Sequence, residues 1–331
     1  LGAGAVRTLR VGVAGLGHLG THHARAWKQI EGVELVGGYD PDPAARARAE
    51  SELELRVHDS LAGLLAGLDA LSVAAPTPAH HEVARASLAR GISTLVEKPM
   101  ASTPEEGEAI LALARAQGVT LVVGQIERMN PAVRAALPFL RAPRFIEAHR
   151  LAPPVARGID VDVILDLMIH DLDLALLATR SRVTDVQAVG VPVVTPRIDI
   201  ANARLTFESG CVANITASRI SREKVRKIRF FEASEYLSID CLNRTVEAFA
   251  LEPAGPGDPE SHWTARIRPL PVKVADDDPL ETELRHFLAL RSDPARSWSE
   301  SETALEALRV ADLVRRQVER RPAPSGLGVS V

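Results

Sequence analysis

Val11-Gly12-Val13-Ala14-Gly15-Leu16-Gly17-His18-Leu19-Gly20 is an apolar run entering a glycine-rich turn, and Asp40 follows twenty residues after its last glycine. The run reads as a strand, the turn as its exit, and the residues from His18 onward as a helix. A dinucleotide needs that arrangement. Gly15 permits the tight turn, Gly17 lets the backbone approach a pyrophosphate, and Gly20 lets helix and strand pack closely. Amides at the helix start, among them those of His18 and Leu19, face the phosphates with a partial positive charge. Asp40 closes a second apolar run, Val33–Tyr39, where its carboxylate can accept hydrogen bonds from the adenosine ribose hydroxyls. A carboxylate repels a 2′-phosphate, and Pro41-Asp42-Pro43 offers no arginine to hold one, so NAD is favoured over NADP. Arg46 and Arg48 lie further along and weigh the other way.

Working outward, the first third alternates short apolar runs (8–14, 33–39, 70–75, 93–96, 120–124) with helical stretches (18–30, 43–53, 60–66, 79–90, 104–117). Continuous apolar strands separated by helices imply a doubly wound parallel sheet covered on both faces. Thr103-Pro104-Glu105-Glu106 is a helix start, and Gly91 and Gly118 stand where helices end. Beyond, the pattern changes to runs at 145–151, 184–194, 198–207, 211–220, 225–233, 235–240, 243–250 and 265–273, several alternating with period two. Glu208-Ser209-Gly210 reads as a hairpin turn, 161–178 as an apolar helix, 252–262 as a loop, and 279–291 and 300–320 as helices. The tail from Pro322 reads as loose. The expected class is α/β, with a dinucleotide-binding domain over 1–124. An α/β domain on a large open, mostly antiparallel sheet is expected over 125–331.

The chain has 331 residues, 46% hydrophobic and 25% charged, with a net charge of −4. Nothing in that balance suits a nucleic-acid polyanion. No apolar run reaches membrane-spanning length. Leu1-Gly2-Ala3-Gly4-Ala5 lacks a basic leader with a long apolar core, so no signal peptide is expected. Cys211 and Cys241 are the two cysteines. They imply no disulfide framework, and a cytoplasmic protein is the simpler reading.

Three patterns carry chemistry. Val96-Glu97-Lys98-Pro99 ends a buried-looking strand, where ligands sit in an open α/β sheet, and places Lys98 to hydrogen-bond a substrate oxygen. Its bland reading is a surface lysine paired with Glu97. Asp162-Val163-Ile164-Leu165-Asp166-Leu167-Met168-Ile169-His170-Asp171-Leu172-Asp173 sets Asp166 and His170 four apart, on one helical face of an apolar segment. Ionisable groups there are costly unless paired or facing a cleft, and histidine is suited to take a hydroxyl proton near neutral pH. An Asp–His pair that only steadies the helix is the alternative. Asp171 and Asp173 are expected at solvent or an interface. Gly124-Gln125-Ile126-Glu127-Arg128-Met129-Asn130-Pro131 follows the last strand of the first block and reads equally as cleft lining or hinge. His22, His23 and His80 are expected to be polar helix-face residues, while His81, after Ala75-Pro76-Thr77, could approach the cofactor. No metal site is expected, because no H-E-x-x-H or C-x-x-C is present. Arg219–Arg229 holds six basic residues and reads equally as a phosphate-binding stretch or a charged sheet edge.

Together the glycine turn, Glu97-Lys98-Pro99, Asn130-Pro131 and Asp166-x-x-x-His170, in that order, resemble the glucose–fructose oxidoreductase, inositol dehydrogenase and rhizopine-catabolism family. The resemblance implies a Rossmann domain, then an α/β domain whose sheet forms a homodimer or homotetramer interface. It implies NAD(P)-dependent hydride transfer at a ring hydroxyl or ketone of a sugar, sugar nucleotide or cyclitol. It assigns Lys98 as catalytic lysine, His170 as proton acceptor and Asp166 as its neighbour. It also implies a cis bond before Pro99. Gly15, Gly17, His18, Leu19, Gly20, Asp40, Ala75, Pro76, Thr77, His81, Glu97 and Lys98 become the expected cofactor contacts. Lys98, Arg128, Asn130, Asp166 and His170 become the expected substrate contacts. The wording of 162–173 and 216–229 is similar to members that oxidise the 3-hydroxyl of UDP-N-acetylglucosamine. The family also contains non-catalytic dinucleotide-binding regulators and NAD-assisted glycosidases, and those remain the alternatives.

Overall fold

The computed structural model describes residues 7–154, 161–255 and 260–320. Its first elements are β1 (Leu9–Ala14), α1 (His18–Gln29), β2 (Val33–Tyr39), α2 (Pro43–Leu53), α3 (Leu61–Leu65), β3 (Ala70–Val73), α4 (Thr77–Leu88), β4 (Ser93–Glu97), α5 (Pro104–Gln117) and β5 (Leu121–Gly124). They continue with α6 (Pro131–Ala136), β6 (Phe145–Leu151), α7 (Ile169–Thr179), β7 (Val183–Val191), β8 (Ile200–Phe207), β9 (Val212–Ser218), β10 (Val225–Phe231), β11 (Glu235–Asp240), β12 (Thr245–Leu251) and β13 (Ile267–Pro269). Two helices close the series, α8 (Pro279–Leu290) and α9 (Pro294–Glu319). Residues 1–5, part of the expected loop at 252–262 and the expected tail from Pro322 lie outside the described residues.

Two compact units emerge, Leu1–Pro131 with Asp276–Leu308, and Ala132–Ala275 with Arg309–Val331. The stretch 276–308, which strand-and-helix alternation leaves with the second block, thus packs in the first. The reason is apolar. Leu284, Phe287 and Leu290 of α8 join the buried cluster of Val11, Val13, Ala24 and Trp27. Trp27 meets Phe287 edge-on at 6.3 Å and donates its indole N–H to Ser72 Oγ at 2.8 Å. Burying a tryptophan with its one donor satisfied combines large area with no unpaired polar atom.

The first unit is built on a parallel sheet in the order β2-β1-β3-β4-β5. Beside β2, a single parallel bridge, Gly38 to Val57, stands where a sixth strand would extend it. Strands β3, β4 and β5 are buried at every position, as a sheet covered on both faces requires. Chain direction across the sheet reverses between β1 and β3, so a crevice opens beyond their carboxyl ends. Helix ends follow local chemistry. Thr103 Oγ1 accepts from Glu106 N at 3.3 Å to start α5, and Gly118 ends it at φ +64°.

The second unit carries an eight-stranded sheet, β13-β12-β11-β10-β6-β9-β8-β7. Every neighbouring pair is antiparallel except β6 with β9. Along β8, Ala201, Ala203, Leu205 and Phe207 are buried while Asn202 and Arg204 are exposed, so one face is core and the other open. Helix α7 packs on β6 and β9. The expected helix at 161–178 is interrupted: Ile164–Met168 forms a π turn before α7 proper. The expected run 265–273 shrinks to three strand residues, and the final helix starts at Pro294 rather than 300.

Candidate active site

In the first unit the expected cofactor residues stand at the carboxyl ends of the parallel strands. Gly15 has φ +91°, and a Cβ there would lie 2.5 Å from Ala75 N. The turn after β1 is therefore pressed against the segment after β3, and only glycine fits. At Gly20 a Cβ would come within 1.8 Å of Gly15 O, which fixes how closely α1 sits on β1. Gly17 differs: it is exposed, and nothing lies within 4 Å of where its Cβ would be. It is also the N-cap of α1 with no side chain bonded over the helix end. Asp40 leaves β2 half-buried; its Oδ2 accepts from Leu16 N at 2.7 Å and its Oδ1 from Asp42 N at 2.9 Å. Arg46 donates to the Asp40 and Pro41 carbonyls at 2.7 and 3.3 Å. Its guanidinium is thus engaged by backbone beside Asp40. An open glycine, an uncapped helix start and a carboxylate at the next strand's end fit a dinucleotide. In that fit the Gly17–Leu19 amides would take the pyrophosphate and Asp40 the ribose hydroxyls.

Ala75 is half-buried, Pro76 exposed, and Thr77 buried as it opens α4; His81 is half-buried one turn later. Its neighbour His80 is 1% exposed, with Nδ1 2.8 Å from Pro99 O and Nε2 2.8 Å from Ala75 O. It tethers the segment after β3 to the one after β4. Burial pulls its pKa down, against the two carbonyls that favour the charged ring. The Lys98–Pro99 bond is cis. Lys98 is half-buried, and Glu97, buried before it, accepts from Lys98 N at 3.3 Å. The other Glu97 oxygen lies 2.9 Å from His23 Nε2, and a Cβ on Gly124 would come equally close to it. His23 has no exposed surface. The expectation that His23 and His80 are polar helix-face residues is therefore corrected, while His22 is indeed exposed, edge-on to His18 at 4.7 Å. Their burial had a signal in the sequence. Gly20, His23, Ala24 and Trp27 form one helical stripe, as do His80, Ala84, Ser87 and Leu88. Arg128 donates to Glu300 O at 3.1 Å, and buried Asn130 donates to Glu127 Oε2 at 3.1 Å.

In the second unit Asp162 Oδ1 accepts from Ile164 N and Leu165 N at 2.9 and 3.1 Å, capping the π turn. Asp166 lies half-buried within that turn; His170, 8% exposed, stands in the first turn of α7. Single π turns recur where function requires a locally widened helix. Asp171 and Asp173 are corrected: both are buried rather than at solvent. Arg150 from β6 grips Asp171 through two parallel hydrogen bonds of 2.8 and 2.9 Å. Both readings of 219–229 are also corrected in part. Strand β10 is interior, between β6 and β11, so it is no sheet edge. Arg219 is buried against Asp199 at 2.9 Å and donates to Val161 O at 2.8 Å; Arg229 pairs with Glu147. Arg222 and Lys224 are exposed.

Residues 9–125 match the oxidoreductase family with an NAD-binding Rossmann fold, and residues 147–232 match the GFO/IDH/MocA C-terminal domain. The chain belongs to the GFO/IDH/MocA oxidoreductase family. A curated UDP-N-acetylglucosamine 3-dehydrogenase from Acidithiobacillus ferrooxidans is 40% identical over 287 residues, 85% of this chain and 88% of that one. A solved structure of such a dehydrogenase from that organism aligns with TM-score 0.85 at 38% identity, covering 94% of this chain and 98% of that one. At 18% identity and TM-score 0.77, the WlbA dehydrogenase of Bordetella pertussis, solved with NADH and UDP-GlcNAcA, shares the fold over 95% of this chain and 96% of its own. This member of the family is an NAD-dependent oxidoreductase enzyme. Among the described residues no helix is long and apolar enough to cross a membrane.

Proposed function

We propose that the chain oxidises the 3-hydroxyl of UDP-N-acetylglucosamine, or a closely related UDP sugar, with NAD as acceptor. The observation that carries this reading is the 40% identity to a UDP-N-acetylglucosamine 3-dehydrogenase across nearly the full length of both chains. Bound NAD would accept the hydride from the ring carbon. His170 takes the hydroxyl proton as general base, and Asp166, one turn before it, orients the ring or holds a neighbouring sugar hydroxyl. The Lys98 ammonium hydrogen-bonds the oxygen as it becomes a carbonyl, stabilising developing charge. Gly15, Gly17, His18, Leu19, Gly20, Asp40, Ala75, Pro76, Thr77, His81, Glu97 and Lys98 form the cofactor contacts, and Arg128 and Asn130 join the substrate contacts. Functionally, residues 1–124 bind the dinucleotide and residues 125–331 serve substrate binding and assembly, in the cytoplasm. The open face of the eight-stranded sheet is the surface for a second copy.

The test is the absorbance of reduced nicotinamide during incubation with NAD and UDP-N-acetylglucosamine, beside UDP-glucose, myo-inositol and free N-acetylglucosamine. NADH should accumulate with the UDP sugars. No NADH with the N-acetylated nucleotide, alongside turnover of an inositol or free sugar, rejects the substrate. Turnover that releases UDP or sugar without NADH would point instead to glycoside cleavage.

A further inference from the structure

Directly behind the Lys98 backbone the first unit buries a second set of ionisable groups. His23 from α1, Glu97 from the end of β4 and Glu283 from α8 bring their polar atoms within 4.8 Å of one another. Their residues are 0%, 5% and 1% exposed. Two carboxyl groups this close in a core pay heavily if both are ionised. Each charge loses hydration, and the two repel. Hydrogen bonding divides the cluster unequally. Glu97 Oε1 lies 2.9 Å from His23 Nε2, and its Oε2 accepts from Lys98 N at 3.3 Å, two contacts suited to a carboxylate. Glu283 Oε2 has no hydrogen-bond partner. A buried oxygen without donors is far cheaper to keep as a neutral acid than as an anion.

We propose that Glu283 keeps its proton at neutral pH, so that the Glu97–Glu283 pair carries one negative charge, and that it serves as a positioning residue for Lys98. Glu97 meets the His23 ring and holds the Lys98 amide, and so sets the course of the backbone into the Lys98–Pro99 bond. Burial first, and then the Glu97 charge, push the Glu283 carboxyl well above the ordinary carboxylate range, with the Arg128 guanidinium pulling the other way. Ionisable groups on the elements around α8 include His23 on α1, Glu97 beside Lys98, Glu127 and Arg128 in the turn 126–129, and Glu300 on α9. Glu300 is occupied by His286 at 2.7 Å and Arg296 at 3.1 Å. Glu127 accepts from Asn130. Arg128 is therefore the cation whose field reaches Glu283.

The linkage sign follows. A carboxyl whose pKa is higher folded than unfolded favours the fold fully below its unfolded value. That advantage is lost as pH rises through the folded value. The proton's presence does not depend on the substrate proposed above; only its effect on turnover rests on Lys98 being catalytic. The experiment is infrared spectroscopy of the full chain across pH, paired with thermal melting and NADH titration, for the wild type and Glu283→Gln. The wild type should show the carbonyl stretch of a protonated carboxylic acid at neutral pH, fading in alkali. In E283Q that band should be missing, NADH should still bind, and the melting temperature should exceed the wild type's on the alkaline side. The alkaline limb of the wild-type rate profile should be weakened in E283Q. A wild type without the band at neutral pH overturns the proposal, and this needs no variant to fold. A band that survives in E283Q, or parallel melting curves for the two proteins at all pH values, also overturns it. So does a stoichiometric divalent cation in the purified protein that E283Q fails to retain, because the compensating charge would then be a metal.

Discussion

His170 and Asp40 are the residues on which the proposed chemistry turns most directly. If His170 takes the hydroxyl proton, His170→Ala should lower kcat by about 10²–10⁴-fold, the usual worth of general-base assistance. The affinity for NADH should stay near that of the wild type, since the dinucleotide contacts lie elsewhere. Steady-state rates with a fluorescence titration of NADH separate the two, and a variant with unchanged kcat ends that role. Asp40 tests the cofactor. Its carboxylate is held by Leu16 N and Asp42 N, and Arg46 is already tied to carbonyls, so charge repulsion of a 2′-phosphate goes uncompensated. Asp40→Ser should narrow the preference for NAD over NADP, chiefly by weakening NAD and relieving NADP, as read from kcat/KM for each. An unchanged preference would place discrimination outside this residue.

At the scale of elements, the helix bearing His170 is held to its sheet by charge inside a core. Arg150 and Asp171 are each nearly fully buried and doubly hydrogen-bonded. Arg150→Met would leave Asp171 buried without that partner, a change that typically costs about 3–5 kcal/mol. Urea unfolding at neutral pH should show a loss of this size, and one below about 1 kcal/mol would mean that water or another group replaces the arginine. The turn after β7 depends on another carboxylate. Burial raises the pKa of Asp199, but amides of Thr195, Val193 and Val194 and the Thr195 hydroxyl outweigh it and hold the group far below the ordinary range. Its stabilisation is present above the unfolded carboxylate value, about 3.9, and is lost as pH falls below it. Melting temperature should therefore drop more steeply in acid for the wild type than for Asp199→Asn, whose neutral-pH stability starts lower. Equal acid slopes would remove Asp199 from the balance.

These same elements show what could be read in advance. Gly15, Gly17, Gly20 and Asp40 were legible because their work is local: a positive φ, an uncrowded turn and a strand end are properties of a few consecutive residues. Asp171, Arg219 and His23 misled because their partners are distant in the chain. A charge run shows neither that Arg150 waits opposite Asp171 nor that Asp199 encloses Arg219. The return of α8 was illegible for the same reason, since it depends on Phe287 meeting Trp27.

At the scale of the whole molecule, the open sheet face is a surface with a regular chemistry. Asn202 bonds Thr216 at 2.9 Å and Arg204 bonds Asn214 at 3.1 Å across β8 and β9, giving a polar ladder suited to self-complementary pairing. Light scattering should give a multiple of the 35.6 kDa chain mass, and Asn214→Lys, which sets a second cation beside Arg204, should shift it toward one chain. A wild type that scatters as a single chain would dismiss this surface as an assembly site.

Because residues 276–308 complete the same unit that begins the chain, vectorial synthesis cannot finish that unit early. The emerging N-terminal half leaves the ribosome with the side of Trp27 that Phe287 will cover still bare, and it must stay soluble while the eight-stranded sheet is made. Folding in the cell is thus expected to be late and concerted for the nucleotide-type unit, with chaperone contact concentrated on α1 until α8 arrives.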